Sequence, residues 1–116
     1  MFIDIRAIGF GLTDALRRHV QKRVEGVLQP FARRVMKITA RLADVNAGRG
    51  GIDKRCSVVV AMRRGNVVVA EATHADMYLA VDEVAARIRR SVKRAAKRHV
   101  HRERTDRQRP GALVTI

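Results

Sequence analysis

Aromatic residues are nearly missing from this chain, with one Tyr, three Phe and no Trp among 116 residues. Recognition through a platform of stacked rings, as in single-strand binders, is therefore not expected. Cysteine is limited to Cys56, so no internal disulfide can form, and a reducing compartment, the cytoplasm, is the expected home. No uncharged stretch approaches the length that spans a bilayer, and the start MFIDIRAIGF lacks the basic-then-apolar order of an export leader. A soluble chain without a membrane partner is expected. Acids are scarce too: 11 Asp plus Glu stand against 25 Lys plus Arg, a formal net charge of +14.

The few acids do not assemble a reaction centre. Asp4, Asp14, Asp44, Asp53, Asp76 and Asp82 are scattered over caps, turns and strand ends, and capping accounts for Asp14 and Asp76. Gly48-Arg49-Gly50-Gly51 lacks the Lys-Ser/Thr that would make a glycine-rich loop a nucleotide site. His99, His101 and Glu103 stand two apart, so they point to different faces of a helix and no metal site is expected. The chain is expected to be no enzyme, with no cofactor and no small-molecule substrate.

What is abundant is positive charge, carried mostly by arginine, whose guanidinium makes bidentate phosphate contacts. At this length the chain is one domain with one core. Its charge has a direction in the last third, where the spacing predicts a helix from Asp76 to about Arg98. With Arg87 at zero, Met77, Val81, Val84, Ile88, Val92 and Ala95 fall on an arc of about 60° to 140°. Arg87, Arg90, Lys93, Arg94, Lys97 and Arg98 fall on the opposite arc, from about 240° through zero to about 20°. No acid occurs between Glu83 and Glu103, so these cations lack the i,i+4 partners of an ordinary solvated helix face. Such repulsion is relieved by a polyanion, and nucleic acid is the commonest one.

Upstream, Phe2 to Ala7 alternates as a half-buried strand, ended by Gly9 and Gly11. Thr13 is an N-cap for a helix carrying Leu16, Val20, Val24, Val27, Leu28 and Phe31, which Pro30 ends or kinks near Gln29. Alternation returns from Val35 to Ala43, with Met36, Ile38, Ala40 and Leu42 on one face and Lys37, Thr39 and Arg41 on the other. Asn46 to Gly51 reads as a flexible turn. Lys54 to Arg63 and Val67 to Ala72 then flank an Arg64-Gly65-Asn66 hairpin connection, and Thr73 or Asp76 caps the last helix. Phe2, Phe10 and Phe31 are expected at the core or its edge, Tyr78 against the sheet on the flank of its helix, and Cys56 inside as an inert hydrophobe.

The order β-α-β-β-β-α implies an α+β fold, a four-stranded antiparallel-type sheet with both helices on one face and the other face exposed. The last helix is expected to lose its contact with the sheet near Ala96. Residues 1–102 form the expected domain and 103–116 a basic flexible tail.

The segment HADMYLAVDEVAARIRRSVKRAAKR, residues 74–98, resembles the second helix of the ribosome hibernation-promoting factors, also called ribosome-associated inhibitor or sigma-54 modulation proteins. Asp76-Met77-Tyr78, Leu79-Ala80-Val81-Asp82, and the cations Arg87, Arg90, Lys93, Arg94 and Arg98 stand at the positions of the family's pattern. Thr13-Asp14-Ala15-Leu16-Arg17 resembles the start of the family's first helix, so the resemblance runs from about residue 2 to residue 98. Arg89, where many members have an acid, and the long basic stretch Gly50 to Cys56 depart from it. The resemblance implies a short form without the C-terminal dimerisation domain, and a fold similar to double-stranded-RNA-binding domains. It also implies a translation inhibitor that occupies the mRNA channel and the A and P tRNA sites of the small ribosomal subunit during stress or stationary phase. Its expected partners are that subunit and its ribosomal RNA. The RNA contacts are expected at Arg87, Arg90, Lys93, Arg94, Lys97 and Arg98, helped by Lys37, Arg41, Lys54, Arg55 and Arg63. The alternative is a general structured-RNA- or DNA-binding module without ribosome preference, and a module recruiting an acidic protein partner ranks last.

Overall fold

The computed structural model describes residues 1–45 and 54–108, with side chains through Lys97. The elements are β1 (Ile3–Ile8), α1 (Asp14–Leu28), a 3-10 segment (Gln29–Arg34), β2 (Val35–Asp44), β3 (Lys54–Met62), β4 (Val67–His74) and α2 (Met77–Gln108). The Asn46 to Gly51 turn expected from sequence, and the glycine part of the basic stretch after it, lie outside the described residues.

The four strands form one sheet in the order β1-β2-β3-β4. β2, β3 and β4 are antiparallel neighbours, as the hairpin chemistry requires, but β1 and β2 run parallel, with Ile3 opposite Ile38 and Ala7 opposite Leu42. The sheet is thus mixed. A helix between two adjacent strands returns the chain to the end from which it started, so the second strand must repeat the direction of the first.

Both helices cover one face. Leu16, Val20, Val24 and Leu28 from α1 and Val81, Val84, Ile88 and Val92 from α2 meet Ile38, Ala40 and Leu42 of β2 and Cys56, Val58 and Val60 of β3 in a single core. Every residue of the apolar arc expected on α2 is buried. Burial extends beyond that arc to Ala80, Ala85 and Ala96, because α2 is enclosed by β3, β4 and α1 together and alanine permits close approach on the flanks.

Two apolar residues lie where alternation did not put them. Val35 pairs with Met62 and Lys37 with Ala61, so a bulge at Met36 inserts an extra residue, and Val35 faces the core while Met36 is 67% exposed. Phe2 is 82% exposed, since it precedes the first paired residue of an edge strand, whereas Phe10 and Phe31 pack against the core as expected.

The caps follow the sequence chemistry. The Thr13 hydroxyl accepts from the Leu16 amide at 3.2 Å, and the Asp76 carboxylate accepts from the Tyr78 amide at 2.9 Å, so Asp76 rather than Thr73 starts α2. Pro30 stops α1 at Leu28 and the chain tightens into the 3-10 segment. α2 continues to Gln108, about ten residues beyond the expected end, because no Pro or Gly interrupts it before Pro110. The helix therefore runs through residue 102; residues 109–116 lie outside the described ones.

Candidate nucleic-acid interface

Three sides of α2 are spoken for, which leaves one ridge. Its core arc lies on the sheet, one flank meets β4, and the other meets α1 through Asp82. Asp82 holds both His19, at 2.8 Å, and Arg23, at 3.0 Å, and the His19 ring lies 4.9 Å from that of Tyr78. Tyr78 thus meets α1 instead of the sheet against which it was expected, because its flank of the helix faces His19 and leaves the ring 40% exposed. These contacts near the start of both helices, together with Arg34, just past the end of α1, donating to the Ala96 carbonyl further along α2, make α1 and α2 parallel.

Arg90, Lys93, Arg94 and Lys97 occupy the remaining ridge. All four are exposed, and no ion pair or hydrogen bond engages their side chains among the described residues. Arg98 continues the helix, with its side chain outside the described set. Arg87 differs from these. Its Nη1 donates to the Glu71 carbonyl at 2.6 Å and its Nη2 pairs with Glu83 one turn earlier, which ties it to β4 rather than leaving it for a phosphate.

The other expected contacts separate onto different surfaces. Lys37 and Arg41 stand exposed on the open sheet face, opposite the helices, as does Arg55, which pairs with Glu71 at 3.5 Å. Lys54 turns to the helix side and binds Asp44 at 2.8 Å. Arg63 lies exposed in the β3–β4 hairpin. One flat partner cannot touch both sheet faces, so the eleven residues do not form one continuous surface. Sequence reasoning passed over α1: Arg18 and Lys22 are exposed on its outer side. The signal was available, because the stripe Leu16, Val20, Val24 and Leu28 fixes which α1 positions face away.

Other chemistry is thin. Cys56 is fully buried, and desolvation pushes its thiol up to about 12, so the nucleophilic thiolate is suppressed. Among the described residues no group of His, Cys, Asp or Glu is placed to hold a metal ion, and no helix is long and apolar enough to cross a membrane.

A sheet covered on one face by two parallel helices, with a cationic ridge along the second that has no partner among the described residues, defines a small basic α+β domain. The family model described as Sigma 54 modulation protein / S30EA ribosomal protein matches residues 3–100, and the chain belongs to that family. Among solved structures it is similar to the Thermus thermophilus Protein Y N-terminal domain, at 25% identity and a TM-score of 0.65, over 78% of this chain and 93% of that one. It shares its fold with a ribosomal subunit interface protein from Coxiella burnetii, at 24% identity and a TM-score of 0.69, over 83% of this chain and 99% of that one. No curated protein matches the chain.

Proposed function

We propose that this protein is a ribosome hibernation factor that occupies the mRNA channel and the A and P tRNA sites of the small subunit, and so blocks translation by occlusion. The observation that carries the reading is the ridge Arg90, Lys93, Arg94 and Lys97: exposed cations, unpaired among the described residues, on a helix clamped on its other sides. A clamped helix holds the backbone positions of its charges in register, so binding ribosomal RNA must order the side chains but not the helix. Family membership supports the ribosome as the partner, and the Coxiella burnetii neighbour is itself described as a ribosomal subunit interface protein. The protein then acts in the cytoplasm and needs no catalytic group.

Within this reading, Arg90, Lys93, Arg94, Lys97 and Arg98 are the primary phosphate contacts, and the exposed Arg18 and Lys22 of α1 add to the positive surface. Arg87, Lys54 and Arg55 serve mainly the fold, since each already has a carboxylate partner. Lys37 and Arg41 are left for whatever rests on the open sheet face.

Co-sedimentation with small subunits through a sucrose gradient, with and without mRNA and initiator tRNA, tests the proposal. Stoichiometric binding that mRNA and tRNA exclude is the expected result. Non-saturating binding that bulk RNA abolishes equally well would replace it with a general nucleic-acid module.

A further inference from the structure

β4 is an edge strand, and its register with β3 shows which of its peptide groups look outward. The Met62 amide donates to the Asn66 carbonyl at 2.7 Å, and from there Val60 faces Val68, Val58 faces Ala70 and Cys56 faces Ala72. Hydrogen-bonded pairs recur at every second residue of an antiparallel ladder, so Val68, Ala70 and Ala72 spend their peptide groups on β3. Val67, Val69, Glu71 and Thr73 turn theirs to the outer edge, where no strand lies among the described residues. Their side chains stand on the open sheet face, and Val67 and Val69 are 63% and 58% exposed.

The strand is suited to pair further. Val67 to Ala70, the run Val-Val-Val-Ala, combines high β-propensity with no charge, and an exposed edge of that kind is a template for another chain. One side chain stands in the way. Arg87 reaches from α2 to the Glu71 carbonyl at 2.6 Å, so its guanidinium lies where a fifth strand would donate. Glu83 holds the other Nη of that guanidinium, and Arg55 holds the Glu71 carboxylate at 3.5 Å. The stretch before Glu71 leaves only Val67 and Val69 with outward peptide groups, too few for a stable pairing by themselves.

We propose that the β4 edge is a pairing surface for a second copy of this chain and that Arg87 keeps it closed. Antiparallel pairing about a two-fold axis matches each outward donor of one strand to an acceptor of the other, so a copy supplies the complement without any further chemistry. An axis near Ala70 sets Glu71 opposite Val69 of the copy and Thr73 opposite Val67, so no like charges face each other and the exposed valines lie against side chains of the copy. RNA does not fit this edge, since Arg55 and Arg87, the cations beside it, already have acidic partners. The formal charge of +14 on each copy opposes association, and salt screens that repulsion. The surface goes beyond the ribosome reading and does not depend on it.

Sedimentation velocity of the full chain at high salt tests the proposal. The parent is expected to be monomeric, and Arg87→Ala to self-associate with a dissociation constant about tenfold or more below the parent's, since pairing no longer has to break the bond to Glu71. Adding Val69→Lys to that variant places a charge on the pairing strand and should restore the monomer. Gly65→Ala, which weakens the hairpin without touching the edge, should stay monomeric. Association of Arg87→Ala no stronger than the parent's, its persistence with Val69→Lys, or equal association of Gly65→Ala overturns the proposal. Amide hydrogen exchange on the parent gives a reading that needs no variant to fold: the Val69 and Thr73 amides should exchange faster than those of Val68 and Ala70. Equal protection of the two sets would mean that the edge is already covered, and would overturn the proposal as well.

Discussion

The Arg87 guanidinium donates to the Glu71 carbonyl at 2.6 Å, joining α2 to the edge strand β4. The same guanidinium pairs with Glu83, so the first cation of the charged arc serves the fold, and the ridge without partners among the described residues begins one turn later at Arg90. Position on a helical wheel does not distinguish these two arginines; the neighbouring strand does.

Replacing Arg87 with Ala should lower stability by about 1 kcal/mol, since both partners are roughly half exposed and water screens the pair. Thermal denaturation should show the loss as a fall of several degrees. Ribosome affinity at a temperature where the variant is folded should change less than it does for Arg90→Ala. A larger binding loss at Arg87 than at Arg90 would place the contact surface on the β4 flank instead.

Charge reversal of Arg90 and Arg94 together should abolish binding to small subunits while leaving the melting temperature within about 2 °C of the parent, because neither side chain has a partner among the described residues. Neutral changes should act on the salt dependence: each lost phosphate contact lowers the slope of log K against log[salt] by about 0.7 to 0.9. Sedimentation at a series of salt concentrations measures both.

The buried thiol of Cys56 carries a pH signature. Its pKa rises from 9.0 toward about 12 on folding, so between these values the folded state keeps a proton that the unfolded state has lost. The thiol's contribution to stability is present below pH 9 and declines above it, by up to about 1.4 kcal/mol per pH unit. Chemical denaturation of the parent and of Cys56→Ala at pH 8 and pH 10 should show the parent losing more stability over that interval. A thiol reagent at neutral pH should modify Cys56 at the rate of unfolding rather than on mixing.

Gly65 has a φ of 89° and nothing within 4 Å of where a Cβ would stand. Its substitution by Ala isolates a backbone effect, expected to cost about 1 kcal/mol without creating a clash. An unfolding midpoint equal to that of the parent would show that the hairpin relaxes to another turn.

Much of the architecture was legible because it rests on periodicity and local chemistry. The residues Met77, Val81, Val84, Ile88, Val92 and Ala95 define a buried stripe on any helix of that sequence, and Thr13 and Pro30 bound α1 through groups within a few residues of themselves. Met36 was misplaced because a bulge is an agreement between two strands, and Phe2 because an edge strand offers no neighbour to cover it. The interface was legible as a charge surplus but not as a surface. Lys54 and Asp44 are ten positions apart and bond only because β2 and β3 pair, while Lys37 and Arg90 share a sign but lie on opposite sides of the sheet.

The sequence by itself determined the strand and helix order, the buried stripes, the caps and a net charge of +14, because each follows from side chains and their spacing along the chain. Tertiary structure decided which cations pair with a carboxylate, as Arg87 and Lys54 do, the parallel joining of β1 to β2, and the edge position of β4. Those outcomes depend on which distant segments meet, and the meeting is set by burial of a shared core to which no single segment contributes enough apolar surface alone.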